Sequence, residues 1–129
     1  MDNLELVSFQ IISAVGVAKS SYIEAMKIAE KGDFDLAKAK IKEGDQEFVK
    51  GHEAHAGLIQ KEANGEKVVP NILLMHAEDQ LMSAETIKMI ASAVEGYKLF
   101  IEDDGGAEQD LHEMWSAMCS TTKKVVDES

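Results

Sequence analysis

The sequence predicts an all-α protein, built as an antiparallel bundle of three helices. Aromatic residues make up only 5% of the 129 residues, and Ala, Ile, Leu, Val and seven Met supply the apolar mass. This mix suits helix packing better than a β-sheet. Apolar residues recur at spacings of three and four. Three sites combine Gly with Asn or Asp and divide the chain into helical segments. They are residues 31–33, 63–66 and 103–106.

The first predicted helix covers residues 4–31, where two neighbouring apolar stripes form a broad face for burial. Gly32 is predicted to end this helix, and Asp33 to cap a second helix over residues 34–63. Gly44 and Gly51 lie within the second helix, where each costs roughly 1 kcal/mol relative to Ala. We therefore expect them to allow close approach of a neighbouring backbone. The two stripes of the first helix are Leu4, Val7, Ile11, Ala14, Ala18, Ser21 and Ala25, and Ile12, Val15, Tyr22, Met26 and Ala29.

The third predicted helix covers residues 70–101, with Pro70 in its first turn, where the missing N–H costs nothing. Residues 1–104 form the predicted helical domain, and residues 105–129 a C-terminal extension in which residues 107–126 have the spacing of a short fourth helix. Two stripes line the third helix: Met75, Asp79, Met82, Thr86, Met89, Ala93 and Phe100, and Leu73, Ala77, Ala84, Ile87, Ala91 and Val94.

Charge and cysteine content narrow the partners and the compartment. The net charge is −11, and every basic residue is Lys, so the chain would repel nucleic acids and anionic membranes but attract a basic protein. Cys119 is the single cysteine, which excludes a disulfide within the chain and a Cys-based zinc site. The N-terminus is acidic, unlike a signal peptide, and the apolar run at residues 11–18 is too short to span a bilayer. We therefore expect a cytoplasmic protein without membrane insertion.

Four histidines are the first candidates for chemistry: His52, His55, His76 and His112. A carboxylate-bridged di-metal bundle needs Glu-x-x-His pairs, and none of the four lies in one. A zinc protease needs His-Glu-x-x-His, and HEAH at residues 52–55 is one residue short. Nucleophile elbows, Walker loops and dinucleotide-binding glycine motifs are also absent from the sequence. His52 and His55, one turn apart, are most simply two surface residues.

His76 and Asp79 form the most unusual pair. Asp79 falls on a stripe of apolar and small residues, and a carboxylate buried there would need a partner, a proton or a metal ion. His76 lies one helical turn earlier, on nearly the same face. Spacing alone leaves two interpretations open. The pair is either a polar edge of the bundle with the acid in solvent, or a site where a neutral imidazole, with an ordinary pKa of about 6.5, attacks a phosphoryl group.

Residues 74–82, LMHAEDQLM, resemble the signature of the lactose/cellobiose-type IIA components of the bacterial phosphoenolpyruvate-dependent sugar phosphotransferase system. The turn sequences EKGDF at residues 30–34 and EANGE at residues 62–66 also match, and the resemblance covers residues 4–101. Many members read His-x-Gln-Asp-His-Leu-Met, whereas this chain has Glu78 and Gln80 in place of the Gln and the second His. Gln80 keeps hydrogen-bonding capacity without charge, and Glu78 is expected to point outward.

The resemblance implies a three-helix subunit of a homotrimer that relays phosphoryl groups for uptake of a β-linked disaccharide. His76 matches the phosphorylated histidine, which accepts phosphate from the phosphocarrier HPr and passes it to a cysteine of a IIB component. Asp79 matches an aspartate at the trimer axis, where three copies share one Mg²⁺, and Gln80 would support the histidine site. The residues then expected between subunits are Met75, Met82 and Met89.

Two other functions stay open at this point. One is a non-catalytic helical interaction or regulatory module, although the presence of His76 favours the relay. The other is a plain metal-binding bundle, which would take up metal but no phosphate. The sequence does not identify the sugar, because sugar choice belongs to a membrane component that this chain does not contain.

Overall fold

The computed structural model describes residues 3–93, 116–118, 120 and 127, and its long elements are three α-helices. Helix α1 spans Asn3–Glu30, α2 spans Phe34–Ala63 and α3 spans Ile72–Ser92. The described residues contain no strand, so the predicted all-α class is confirmed. The predicted ends of the first two helices nearly coincide with the observed ones.

The turn between α1 and α2 has the predicted chemistry. Gly32 has φ of +88°, a left-handed conformation that glycine adopts without steric cost. Asp33 caps α2, because its side-chain oxygen accepts a hydrogen bond from the backbone N–H of Leu36 at 3.1 Å. Gly65 has the same positive φ just beyond the end of α2.

The start of α3 differs from the prediction. Pro70 lies before the helix, whose first residue is Ile72. Asn71 is the N-cap, and its side-chain oxygen accepts a hydrogen bond from the backbone N–H of Leu74 at 2.8 Å. A capping Asn fixes the first turn more strongly than the φ preference of proline, so the helix begins after Asn71. Residues 94–101 of the predicted third helix lie outside the described residues.

Helix α1 is the centre of the bundle, because it packs along both α2 and α3, which contact each other only sparsely. A Cβ at Gly44 would come within 2.7 Å of the Tyr22 ring, and one at Gly51 within 2.7 Å of a Val15 methyl. The two glycines therefore make room for side chains of α1, where a neighbouring backbone was expected; a Cβ at Gly51 would lie 3.6 Å from the backbone oxygen of Ile11. Residue numbers fall along α1 as they rise along α2, so these helices are antiparallel. The core is Ile11, Val15, Ala18, Tyr22, Met26, Ala29, Ala37, Phe48, Leu58, Leu74, Ala77, Leu81, Ala84, Ile87 and Ala91.

The two predicted stripes of α3 differ in how deeply their side chains are buried. The expected burial is observed for Ala77, Ala84, Ile87 and Ala91. Two residues that belong to neither predicted stripe, Leu74 and Leu81, are buried as well. The methionine stripe, in contrast, is largely exposed. Its large side chains are Met75, Met82 and Met89, exposed by 57%, 67% and 66%.

One polar network links all three helices. The hydroxyl of the fully buried Tyr22 of α1 donates a hydrogen bond to the carboxylate of Asp45 of α2 at 2.8 Å. Lys88 of α3 lies 3.2 Å from the same carboxylate and 5.1 Å from the centre of the Phe48 ring. Burial, followed by the hydrogen bond to Asp45 and its negative charge, raises the pKa of Tyr22 far above its usual value near 10. We call these residues the Tyr22–Asp45–Lys88 network.

One described residue of the C-terminal extension, Ser116, contacts the end of α1. Ser116 donates a hydrogen bond to the carboxylate of Glu30 at 2.6 Å. Residues 116–118, 120 and 127 are helical. His112, Cys119 and most of the predicted fourth helix lie outside the described residues, so that helix and the boundary at residue 105 stay predictions.

By length and composition alone, helix α1 is also long and apolar enough to cross a membrane. This differs from the expectation based on residues 11–18 alone. A core helix of a helical bundle meets the same criteria, because it must be apolar on the faces that pack against its neighbours. Ile11, Val15 and Ala18 are fully buried within the bundle, so we interpret α1 as its core helix.

Candidate functional site

His76 lies in the second turn of α3, with its side chain exposed. The Asn71 cap and the buried Leu74 and Ala77 fix this turn against α1. The imidazole therefore projects from a well-anchored helix. A ring nitrogen in this position is accessible from solvent.

Gln80, one turn after His76, lies on the flank of α3 that meets α1. Its side-chain oxygen accepts a hydrogen bond from the ammonium group of Lys19 at 3.0 Å. Lys19 is only 8% exposed and is one of two buried polar residues in the described part of the chain. The bond joins α1 to α3 through Gln80, the residue one helical turn after His76.

Lys19 is the residue that sequence reasoning missed, although a signal for it exists. The second apolar stripe of α1 runs through Ile12 and Val15 to Tyr22 and Met26, and it skips one turn. Lys19 occupies that turn. A lysine on a face that is otherwise buried calls for a partner on a neighbouring helix, just as the aspartate on the α3 stripe did.

Glu78 is turned away from His76, because residues two apart on a helix do not share a face. Its carboxylate lies 3.1 Å from Nε2 of His55, so it faces α2. Both groups are partly exposed, His55 by 22% and Glu78 by 47%. The extra acid of the motif therefore pairs with a histidine of α2, on the opposite flank of α3 from Gln80.

Asp79 lies on the exposed methionine stripe of α3. Within one chain its carboxylate is in solvent, so the cost of burial that the sequence suggested does not arise in the isolated subunit. No group of three or more His, Cys, Asp or Glu side chains gathers in the described ranges of the single chain. Any metal site built on Asp79 therefore needs other copies of the chain.

The other two histidines in the described ranges, His52 and His55, make contacts of their own. His52 is exposed, with its ring centre 6.1 Å from that of Phe48. His55, one turn later, contacts Glu78 instead of converging with His52 on a shared ligand position. Gln80 lies one helical turn after His76, whereas His55 pairs with Glu78 on the α2 flank of α3.

Comparison with known proteins identifies the family. Residues 6–98 match the family model for the lactose/cellobiose-specific IIA subunit of the phosphotransferase system. The lichenan-specific phosphotransferase enzyme IIA component of Bacillus subtilis (strain 168) is 38% identical over 82% of this chain and 97% of its own length. The lactose-specific EIIA component of Staphylococcus aureus (strain N315) is 34% identical over 75% of this chain and 95% of its own.

The fold agrees with these sequence matches. The crystal structure of the cellobiose-specific enzyme IIA from Bacillus anthracis superposes with a TM-score of 0.74 and 33% sequence identity. The match covers 81% of this chain and 96% of that one. The chain therefore belongs to the lactose/cellobiose-specific IIA family of the sugar phosphotransferase system.

Proposed function

We propose that this IIA component carries phosphoryl groups on His76, taking them from phosphorylated HPr and passing them to a cysteine of a IIB component. The observation that carries the proposal is the exposed His76 imidazole on a capped helix, with Gln80 and the buried Lys19 on its flank. Family membership supports phosphotransfer in general.

The proposed chemistry consists of two displacements at phosphorus. In the first, a neutral imidazole nitrogen of His76 attacks the phosphoryl group on the carrier, and the bond from phosphorus to the carrier breaks as the new P–N bond forms. In the second, a thiolate of the IIB component attacks, a P–S bond forms and the P–N bond breaks. The released imidazole regains its lone pair and is ready for another cycle. Both steps need an accessible histidine nitrogen and donors for the phosphoryl oxygens.

The surroundings of His76 suit this exchange between two proteins. Its exposure lets each partner reach the ring in turn. The acidic chain, with a net charge of −11, would attract a basic carrier surface and speed its encounter. Glu78, paired with His55, keeps its charge on the far side of the helix from the transferred group. We expect the protein to work in the cytoplasm, where it meets both partners.

We also propose that the active form is a homotrimer in which the methionine stripe of α3 forms the contact between subunits. Met75, Met82 and Met89 are more than half exposed in one chain and lie at helical spacing along one face. An exposed apolar stripe of this kind is typical of a helix that pairs with another. Copies meeting on this face would bring their Asp79 carboxylates together.

Asp79 fits the implied magnesium ion if three copies meet. Three carboxylates crowded among methionines would repel one another, and a hard divalent cation with a preference for oxygen would relieve that repulsion. Each subunit would supply one Asp79 oxygen. The ion would neutralise charge at the trimer axis, while His76 remains on the flank of α3 with Gln80.

The sugar is proposed to be a β-linked oligosaccharide. Relatives are described as specific for lichenan, lactose and oligo-β-mannoside, and the structural neighbour as specific for cellobiose. All of these sugars contain β-glycosidic bonds. The membrane and IIB components that accept phosphate from this chain would make the final choice.

The relay is tested by incubating the protein with phosphoenolpyruvate, enzyme I and HPr, using ³²P label. We expect one acid-labile, base-stable phosphoryl group per chain and its passage to a IIB protein. His76→Ala should take no label, whereas the matched variant His52→Ala, in another exposed histidine, should label fully. Full labelling of His76→Ala would contradict the assignment, and an unlabelled wild-type protein would favour a non-catalytic interaction module.

The metal site is tested with Asp79→Leu, which replaces the carboxylate by an apolar side chain of similar size. We expect the variant to stay trimeric and to lose its bound divalent ion, measured by elemental analysis of the dialysed protein. Metal binding by the wild-type protein should also weaken at low pH, because protons compete for carboxylates. Undiminished metal content in the variant would refute the axial site, and monomeric wild-type protein would refute the trimer.

A further inference from the structure

We infer that Lys19 is a positioning residue for phosphoryl transfer, which acts by orienting the Gln80 amide toward a phosphoryl group on His76. The inference rests on the proposed function of His76. It starts from an unusual observation: a lysine that is only 8% exposed hydrogen-bonds a glutamine one helical turn after the candidate phosphoacceptor. Burying an ammonium group is costly, so this contact across helices calls for an explanation.

The chemistry of the two side chains fixes their orientation. An ammonium group only donates hydrogen bonds, so the atom of Gln80 that faces Lys19 must be the carbonyl oxygen. The amide nitrogen of Gln80, with its two N–H donors, then points away from Lys19. His76 lies one turn earlier on the same face, within reach of a side chain at this spacing.

The orientation matters most once His76 carries a phosphoryl group. That group brings about two negative charges and three oxygen acceptors next to a helix that already holds Glu78 and Asp79. Gln80 can donate N–H bonds to it but has no charge of its own. Lys19 polarises the amide and supplies the positive charge from within the bundle, where solvent screens it less than at the surface.

The acidic and the hydrogen-bond-donating side chains near His76 lie on opposite flanks of α3, which agrees with the role inferred for Lys19. Glu78 is drawn to His55 on the α2 flank, and Gln80 is held by Lys19 on the α1 flank. The phosphoryl group on His76 would therefore meet donors on one side of the helix while the nearby carboxylate is held on the other. The pair stabilises the phosphorylated state without contacting the carrier.

The test is the equilibrium of phosphoryl exchange between HPr and this protein, measured by counting label on each after rapid quenching. Lys19→Met removes the charge but keeps the length of the side chain. It should lower the equilibrium constant for phosphoryl transfer from HPr to this protein about tenfold, which corresponds to the loss of one charge-assisted hydrogen bond. Gln80→Leu should do the same. Lys19→Arg, which is also donor-only, should stay close to wild type, and so should Lys27→Met, an exposed lysine on the same helix.

The double variant separates this role from a structural one. If Lys19 acts through Gln80, combining Lys19→Met with Gln80→Leu should cost no more than either change alone. A misfolded variant would leave a fraction of chains unlabelled even with a large excess of phosphorylated HPr. A folded variant with a lower equilibrium constant for phosphoryl transfer would become fully labelled under the same excess. Gln80→Leu, in a partly exposed position, keeps the test available if Lys19→Met does not fold.

The results distinguish failure of the inference from failure of the proposed function. A wild-type protein that takes no label on His76 overturns both. Normal labelling of the wild type with an unchanged equilibrium in Lys19→Met overturns the role of Lys19 alone. Losses that multiply in the double variant would also overturn it, because Lys19 would then act without Gln80.

Discussion

Two polar regions cross the helices of this bundle, and they differ in how completely their groups are paired. In the Tyr22–Asp45–Lys88 network, a buried hydroxyl and an ammonium group meet one carboxylate, and all three helices take part. At the candidate site, Lys19 and Gln80 join only α1 and α3, and His76 beside them is exposed. In the first region each named group has a partner, although Asp45 and Lys88 are partly exposed, whereas in the second His76 faces solvent.

The difference shows how one small bundle separates stability from function. A network in which each group has a partner adds rigidity, most of all at the buried Tyr22 hydroxyl. An open site contributes less to folding but keeps donors and a nucleophile available. The two regions occupy different levels along α3, near Lys88 and near His76. Changes in one should therefore have little effect on the other.

The largest stability effect is expected from Asp45→Ala. This change leaves the buried Tyr22 hydroxyl without an acceptor and should lower the free energy of unfolding by about 1–3 kcal/mol. Labelling of His76 by phosphorylated HPr should be unchanged. Denaturant unfolding measures the first effect, with Glu53→Ala, an exposed acid of α2, as the control. Loss of labelling at a temperature where the variant is folded would show that the two regions are coupled.

The packing around the network gives a second prediction. Gly44→Ala puts a methyl group within 2.7 Å of the Tyr22 ring, and the resulting overpacking, about 1–3 kcal/mol, should outweigh the helix propensity gained. Gly57→Ala is the matched change, because nothing lies within 4 Å of its added Cβ. It should stabilise the protein by about 0.5–1 kcal/mol. Equal melting temperatures for the two variants would contradict the close approach of α1 and α2.

A third prediction follows from the raised pKa of Tyr22. The tyrosine of the unfolded chain ionises as pH passes about 10, while the folded one stays protonated, so its contribution is complete below pH 10 and is lost above it. Above that pH the free energy of unfolding should fall by up to about 1.4 kcal/mol per pH unit from this residue. Tyr22→Phe should remove that component. An identical alkaline slope in wild type and variant would show that Tyr22 is not protected by burial.

The smallest effect is expected from Glu78→Gln at the candidate site. The His55–Glu78 pair is partly exposed, so its loss should change the free energy of unfolding by no more than about 0.5 kcal/mol. Labelling of His76 should persist, since Glu78 faces α2. A large drop in the labelling rate would mean that this acid takes part in transfer, and that the site extends to both flanks of α3.

Much of this architecture could be predicted from sequence because the signals are local. Gly32 and Asp33 mark the first turn through their own backbone preferences, and the apolar stripes of α1 mark its buried faces. Local signals of this kind could not predict that the methionine stripe of α3 is exposed. Met75 and Leu74 are equally apolar, and only the packing of α1 against Leu74, Ala77 and Leu81 decides which stripe is buried.

The side-chain contacts between different helices could not be predicted from the sequence either. The partner of Lys19 depends on the register of α1 against α3, and the pairing of Glu78 with His55 depends on that of α3 against α2. Neither register follows from the spacing within one helix. Asp79 stands out in the sequence for the same reason as Lys19, yet one subunit leaves it in solvent. Its role therefore stays a proposal about the trimer.

The central claim is that the phosphoryl group rests on His76 between the two transfers. The most direct measurement is mass spectrometry of peptides prepared at alkaline pH from protein phosphorylated by HPr, before and after addition of the IIB component. The account predicts phosphate on the peptide that contains His76, and its transfer to a cysteine peptide of IIB. Phosphate on His52 or His55, or a His76 phosphate that IIB does not remove, would contradict it.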